Sequence, residues 1–197
     1  EYWIITAQTE TVQTATVKKE PITFVCSEQP NNEATVNEIV KKAETGKWSV
    51  ADVKETAVKR TPRPPFITST LQQAASSQLG FAPSRTMGTA QRLYEAGHIT
   101  YMRTDSTNLS ASALAQAAKI IEKKFGRDLV AIQTYKTKSK NAQEAHEAIR
   151  PTDMSKETLG FNDEQKKLYN LIWRRTVTSQ MADAQMLRTK IVARVSE

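Results

Sequence analysis

The sequence predicts an α+β protein: a strand-rich domain, residues 1–60 plus 188–197, into which a helical, winged-helix-like domain, residues 61–187, is inserted. Three observations predict this. β-branched and aromatic residues dominate the start of the chain and return at its end. Helical patterns closed by glycine fill the middle. A proline cluster, Thr61-Pro62-Arg63-Pro64-Pro65, which neither a helix nor a central strand tolerates, marks the boundary.

Taken in order, Tyr2–Ala7 and Thr11–Val17 alternate as strands do, Glu20-Pro21 interrupts, and Ile22–Cys26 reads as another strand. Asn32 is placed to cap a helix whose apolar positions, Val36, Ile39, Val40 and Ala43, recur three and four apart, with Gly46 as the stop. Trp48, Val50, Val53 and Ala57 begin an extended segment that runs into the prolines. Beyond them, Phe66–Leu79, Ser84–Ala96 and Ser110–Phe125 are predicted helices, closed by Gly80, Gly97 and Gly126. Two helices joined by Gly80-Phe81-Ala82-Pro83, then an extended His98–Arg103, resemble a winged helix-turn-helix. Lys136–Lys140 is a charged loop, and Glu144–Ile149 a short helix stopped by Pro151. Asp163–Met181 is a long amphipathic helix burying Leu168, Leu171, Ile172 and Val177. Leu187–Val195 is a strand that returns to the first sheet.

Composition excludes several classes. With 39% hydrophobic and 25% charged residues the chain is an ordinary globular sequence, and no apolar run approaches the ~18 residues of a membrane helix. It opens Glu1-Tyr2-Trp3, without Met or a basic leader, so we expect a fragment without a signal peptide. The lone Cys26 has no partner for an internal disulfide or a metal site, and it suits a reducing, cytoplasmic setting as a small buried strand residue. The net charge of +7 is uneven. Residues 1–58 hold 6 basic and 9 acidic side chains, whereas residues 59–187 hold 19 and 11. That asymmetry points to a polyanionic partner for the middle segment.

The stretch that bears chemistry is Gly97-His98-Ile99-Thr100-Tyr101-Met102-Arg103-Thr104-Asp105-Ser106. On an extended segment Tyr101 and Arg103 share a face. A tyrosine hydroxyl at its ordinary pKa of ~10 is a poor nucleophile. A guanidinium beside it helps by gripping phosphate oxygens in a fork and steadying the charge of the transition state. Asp105 is placed to orient Arg103 or another donor. Alone, Tyr-x-Arg is a weak signal, since many ordinary strands carry one.

Its context makes it specific. The stretch resembles the active-site segment of the type IA DNA topoisomerases: a glycine, a variable residue, Ile-Thr-Tyr, a variable residue, then Arg-Thr-Asp-Ser. Met102 at the second variable position, followed by Thr107-Asn108-Leu109-Ser110, resembles the bacterial topoisomerase I branch rather than topoisomerase III, which usually has proline there. Three more segments match in order. Pro65-Phe66-Ile67-Thr68-Ser69-Thr70-Leu71-Gln72-Gln73-Ala74-Ala75 resembles the helix opening the family's tyrosine domain. Arg85-Thr86-Met87 with Ala90-Gln91-Arg92-Leu93-Tyr94-Glu95 resembles its second helix. Glu144-Ala145-His146-Glu147-Ala148-Ile149-Arg150-Pro151-Thr152 resembles its histidine-containing helix. The matches cover most of 60–180 and are weaker over 1–58, the expected strand-arch domain.

The resemblance implies that Tyr101 attacks a phosphodiester of single-stranded DNA to form a 5′-phosphotyrosine, without ATP, in order to relax negative supercoils. It implies that Arg103 clamps the phosphate and His146 acts near the scissile bond. It makes Arg85 and Arg92, on the matching second helix, candidate DNA-binding or supporting residues. Arg150 either binds phosphate or pairs with Glu147. His98 is expected to be structural or exposed, and Tyr94 to pack near the site. The family's magnesium site is an Asp-x-Asp-x-Glu cluster with a distant glutamate on a separate N-terminal domain. Here no two aspartates stand two apart, so Mg2+ is expected to bind the parent enzyme outside this chain. The partners implied are DNA and that N-terminal domain, in a bacterial, nucleoid-associated, cytoplasmic setting without a membrane. The alternative is a non-catalytic winged-helix DNA-binding module, which would tolerate Phe at position 101. A tyrosine nuclease or recombinase is disfavoured by the flanking helices.

Overall fold

The computed structural model describes residues 2–10, 21–135 and 146–196, and the chain divides into two compact units. One comprises Glu1–Val58 with Met186–Glu197, the other Lys59–Gln185. The predicted strand Thr11–Val17 and the loop Lys136–Lys140 lie outside the described residues.

In the first unit, β1 (Thr6–Glu10) pairs antiparallel with β2 (Pro21–Val25), Thr6 opposite Val25 and Glu10 opposite Pro21. Pro21, which has no N–H to donate, sits at the strand's first position, where it disturbs the ladder least. Tyr2–Ile5 are not in a strand. Trp3 N donates to Pro30 O at 2.9 Å, and this segment gains no continuous partner. Helix α1 (Glu33–Thr45) begins as the sequence dictates, with Asn32 Oδ1 accepting from Thr35 N at 2.8 Å. It buries no residue completely, and Ile39, Val40 and Ala43 are half-buried. The long strand β3 (Lys47–Arg60) pairs with β4 (Ala184–Ser196), so the last strand rejoins the first part of the chain. It does so in a sheet of its own, separate from β1–β2. Gly46 permits that return. A Cβ there would run into the Val195 side chain and lie 2.6 Å from Lys42 O. Cys26 is half-buried and free.

The second unit holds the core. Helix α2 (Thr68–Leu79), α3 (Pro83–Glu95), α4 (Ala111–Phe125) and α5 (Asp163–Thr178) pack around Phe66, Leu71, Leu93, Ile121, Leu168 and Ile172, all 0% exposed. Ser110 and Asn162 cap α4 and α5 through their side chains, as their residue types favour. The middle of α5 is fixed twice from one side: Tyr169 Oη donates to Lys156 O at 2.9 Å, and Trp173 Nε1 to Met154 O at 2.8 Å. Burial pushes the Tyr169 phenol far above the ordinary tyrosine range, so it stays a donor at any working pH. The two-helix unit α2–α3 exists, but the described residues form no hairpin wing after it. Ile99 makes only a single bridge, to Pro151.

One predicted element is overturned. Residues 146–149 are not helical. Ile149 bridges Phe66 and its N–H donates to Phe66 O at 2.8 Å, while Ala148 N donates to Asn108 O at 2.8 Å. Residue 150, preceding Pro151, is already pushed away from helical backbone, and these long-range partners satisfy groups that a helix would have paired internally. Glu144 and Ala145 lie outside the described residues.

Phe66 is the centre of this arrangement, with the Arg175 guanidinium 4.1 Å over its ring. Phe66→Ala should cost about 3–5 kcal/mol and lower the melting temperature by on the order of 10 °C. Circular dichroism melts of the two proteins check this, and a shift below about 2 °C would contradict it.

Candidate active-site groove

The site is built on the segment that leaves α3. Gly97, at φ 74°, turns the chain out of the helix, with Gly97 N donating to Tyr94 O at 2.8 Å and His98 N to Leu93 O at 2.9 Å. The strand-like residues that follow are clipped on two sides. Thr100 N donates to Arg150 O at 2.9 Å, Thr100 Oγ1 to Ala148 O at 2.7 Å, and Thr152 N to His98 O at 3.0 Å. On the other side, Thr68 at the start of α2 donates Oγ1–H to Met102 O at 2.8 Å, and Thr68 N donates to Thr104 O at 3.0 Å. Its hydroxyl also accepts from Thr104 N at 3.0 Å.

Between these clips the chain alternates. Met102, Thr104 and Ser106 are buried, whereas Tyr101, Arg103 and Asp105 are exposed. The period-2 reading therefore holds, although bends at Met102 and Arg103 keep the segment from being a regular strand. Tyr101 is 46% exposed, with its ring edge-on to Tyr94 at 5.3 Å between centroids. Its hydroxyl has no hydrogen-bond partner among the described residues.

Arg103, Asp105 and His146 come together. They line a groove of about 470 Å³ with Thr104 and with Ile67, Thr68, Ser69 and Gln72 from the start of α2. Tyr101, two residues before Arg103 in the chain, is not part of its lining. The first N–H groups of a helix lack intrahelical acceptors and carry a partial positive charge. Such an end, beside a guanidinium with no ion-pair partner among the described residues, suits an anion. Arg103 and Asp105 make no mutual hydrogen bond among the described residues, so the orienting role read for Asp105 has no contact behind it here.

The other candidates fall elsewhere. Arg150 is committed to Glu147, donating to its two carboxylate oxygens at 2.6 and 3.2 Å, and to Pro151 O at 2.9 Å. Of its two readings, the ion pair is the one formed. Arg85 pairs with Glu164 and lies 4.8 Å over the Phe81 ring, tying α3 to α5. Arg92 donates to Thr89 Oγ1 at 3.1 Å. Neither lines the groove. His98 is half-buried, 6.4 Å edge-on from Tyr169, and belongs to the packing. Sequence reasoning did not single out Thr68, Ser69 and Gln72 as site residues. The signal was present in the hydroxyl run Thr68-Ser69-Thr70 at a helix start that lacks a side-chain cap of its own.

Glu147, next to His146 in the chain, ties this segment to Ser110 and Arg150. Burial alone would raise its carboxyl, but hydrogen bonds from Arg150 and from Ser110 N, the latter at 2.6 Å, outweigh this and hold it below the ordinary carboxylate range. A lowered folded-state value stabilises the protein above the unfolded pKa of ~4.3 and is lost as pH falls through the folded one. Melting temperature should therefore decline below about pH 4.5, and Glu147→Gln should flatten that part of the profile. An unchanged slope in the variant would contradict the role.

The sequence profile of a DNA topoisomerase family matches residues 1–197, and the chain belongs to that family. It is 45% identical over 197 residues to DNA topoisomerase 1 of Pseudomonas aeruginosa, covering 97% of this chain and 23% of that protein. It is 52% identical over 147 residues to the Mycobacterium tuberculosis enzyme of the same name, covering 70% and 16%. Full-length topoisomerase I from Thermotoga maritima superposes with a TM-score of 0.69 at 35% identity, covering 98% of this chain and 32% of that one. The chain thus spans about a quarter of the Pseudomonas relative.

Proposed function

We propose that this chain is the nucleophile-bearing part of a bacterial type IA DNA topoisomerase, one that breaks and rejoins single-stranded DNA to relax negative supercoils. The observation that carries the reading is the exposed Tyr101 beside a groove that gathers Arg103, His146 and the positive end of α2. The Tyr101 oxygen attacks the phosphorus of a phosphodiester. A Tyr–O–P bond forms to the 5′ side, the P–O3′ bond breaks, and the phenolic proton is given up as the 3′-hydroxyl leaves protonated. Arg103 binds the non-bridging oxygens through its fork and offsets their charge as the phosphorus becomes five-coordinate. His146, which lines the same groove, hydrogen-bonds a phosphate or the departing oxygen in this reading. The 3′-hydroxyl later attacks the phosphotyrosine and reverses the step. The bond is conserved throughout, so no ATP is required.

Among the described residues no three Asp, Glu, His or Cys side chains converge, so those residues do not fit a magnesium ion. The proposal places Mg2+ on an N-terminal domain of the longer protein, and the parent enzyme in the bacterial cytoplasm with the nucleoid. No helix of the described residues is long and apolar enough to cross a membrane.

The purified 197-residue chain should therefore fail to relax a negatively supercoiled plasmid, with or without magnesium. An N-terminal metal-binding domain added in trans should restore some activity. Agarose-gel relaxation assays decide this. Robust relaxation by the chain alone would refute the division of labour. A purely DNA-binding winged-helix module would show no relaxation in either arm.

A further inference from the structure

A second cleft lies against the same helix. It has a volume of about 270 Å³, and it is lined by Arg63 and Arg175 together with Thr70, Gln73, Ser77 and Thr107 among its polar groups. No carboxylate lines it. Among the described residues neither guanidinium has an ion-pair partner. Arg175 is half-buried, fixed over Phe66 at 4.1 Å, and donates to Pro64 O at 3.4 Å. Arg63 is exposed at the rim.

Two cations facing one cavity without an acid repel each other, and partial burial makes Arg175 costlier to keep charged. The effect is visible at Arg175, where burial first and Arg63 second pull the guanidinium below its ordinary value. An anion between them would offset the repulsion and the burial cost at Arg175. The remaining polar groups on the wall are uncharged: the hydroxyls of Thr70, Ser77 and Thr107 donate to the backbone carbonyls of Ile67, Ala74 and Tyr135, and the side-chain amides of Gln73 and Gln78 can donate to phosphate oxygens without adding charge. The cleft is not the groove described above. The two share only Ile67, and the segment 104–107 contributes Thr104 and Asp105 to one and Thr107 to the other.

We propose that the Arg63–Arg175 cleft is a second phosphate-binding site, which holds a phosphodiester of a nucleic-acid strand on the opposite flank of α2 from the Tyr101 groove. This rests on the nucleic-acid reading above and extends it from one contact to two on the same unit. Arg175 acts as the fixed half of the clamp, positioned by Phe66 and Pro64. Arg63, on the proline-rich boundary, is the half that closes on the ligand.

The test is a titration of the 15N-labelled chain with a twelve-nucleotide oligothymidylate, followed by amide NMR, with fluorescence anisotropy of the labelled oligonucleotide in parallel. A second arm uses inorganic phosphate at matched ionic strength. The Thr107 backbone amide and the Gln73 side-chain amide should shift with the oligonucleotide and move far less with free phosphate. Those shifts should persist in Arg103→Gln and vanish in Arg63→Gln. Affinity in Arg63→Gln should fall about five- to tenfold at low salt, with the salt slope shallower by about 0.7. Arg175→Gln should behave alike, and thermal melts identify any loss due to unfolding. Arg63→Gln stays informative in that case, because its side chain is exposed. If the Arg103 and His146 amides respond while Thr107 and Gln73 stay silent, the second site is refuted and the groove stands. Silence at both overturns both. Equal shifts with free phosphate would make it a small-anion site and refute the strand contact.

Discussion

In the full-length protein, Tyr101→Phe should abolish covalent cleavage of DNA while leaving the fold and DNA affinity almost unchanged. The substitution removes one oxygen. The ring that packs edge-on to Tyr94 remains, and the lost hydroxyl has no hydrogen-bond partner among the described residues. Stability should stay within about 0.5 kcal/mol, as for a surface change that touches no buried feature. Chemistry, in contrast, has no substitute nucleophile. Tyr94, whose ring packs against Tyr101, lies at the last turn of α3 and outside the groove lining. The measurement is trapping of an end-labelled single-stranded oligonucleotide, with thermal melting alongside. An adduct formed by the variant at even a tenth of the wild-type level would place the nucleophile elsewhere.

Arg103→Lys should bind DNA nearly as well as wild type but cleave it about 10²–10³-fold more slowly, the usual cost of losing one donor aimed at developing charge. Lysine keeps the charge and therefore most of the electrostatic attraction. It loses the planar fork that fits two phosphate oxygens at once. Because Arg103 is exposed and has no ion-pair partner among the described residues, the substitution should not unfold the protein. Single-turnover cleavage rates at saturating oligonucleotide isolate the chemical step. A rate within threefold of wild type would show that Arg103 supplies charge alone.

Much of this was legible in the residues, and the reasons are local. Asn32, Ser110 and Asn162 each fix a helix start through a side-chain hydrogen bond within three residues. Gly97 fixes the exit from α3 because the turn needs positive φ. The alternation from Tyr101 to Ser106 survives because a two-residue period depends only on the chain's being extended. What escaped was set by distant partners. The helix read over Glu144–Ile149 fails where it is described, since Ile149 pairs with Phe66 and Ala148 with Asn108, each far off in sequence. No local periodicity announces such a pairing. The groove wall from α2 was missed for the same reason: Thr68 meets Met102 and Thr104 only once the helices have packed. Arg150 was left between two roles because a sequence shows a carboxylate three residues away but not whether the two side chains meet.

The central claim is that Tyr101 is the atom-bearing link to DNA, and peptide mapping of the trapped covalent complex tests it most directly. The complex formed by the full-length enzyme on a short single-stranded oligonucleotide would be denatured, digested with protease and nuclease, and sequenced by mass spectrometry. The account predicts a nucleotide 5′-phosphate on the phenol oxygen of Tyr101, within the peptide that follows Arg92. A nucleotide found on Tyr94 or any other residue, or attached through its 3′ end, would contradict it.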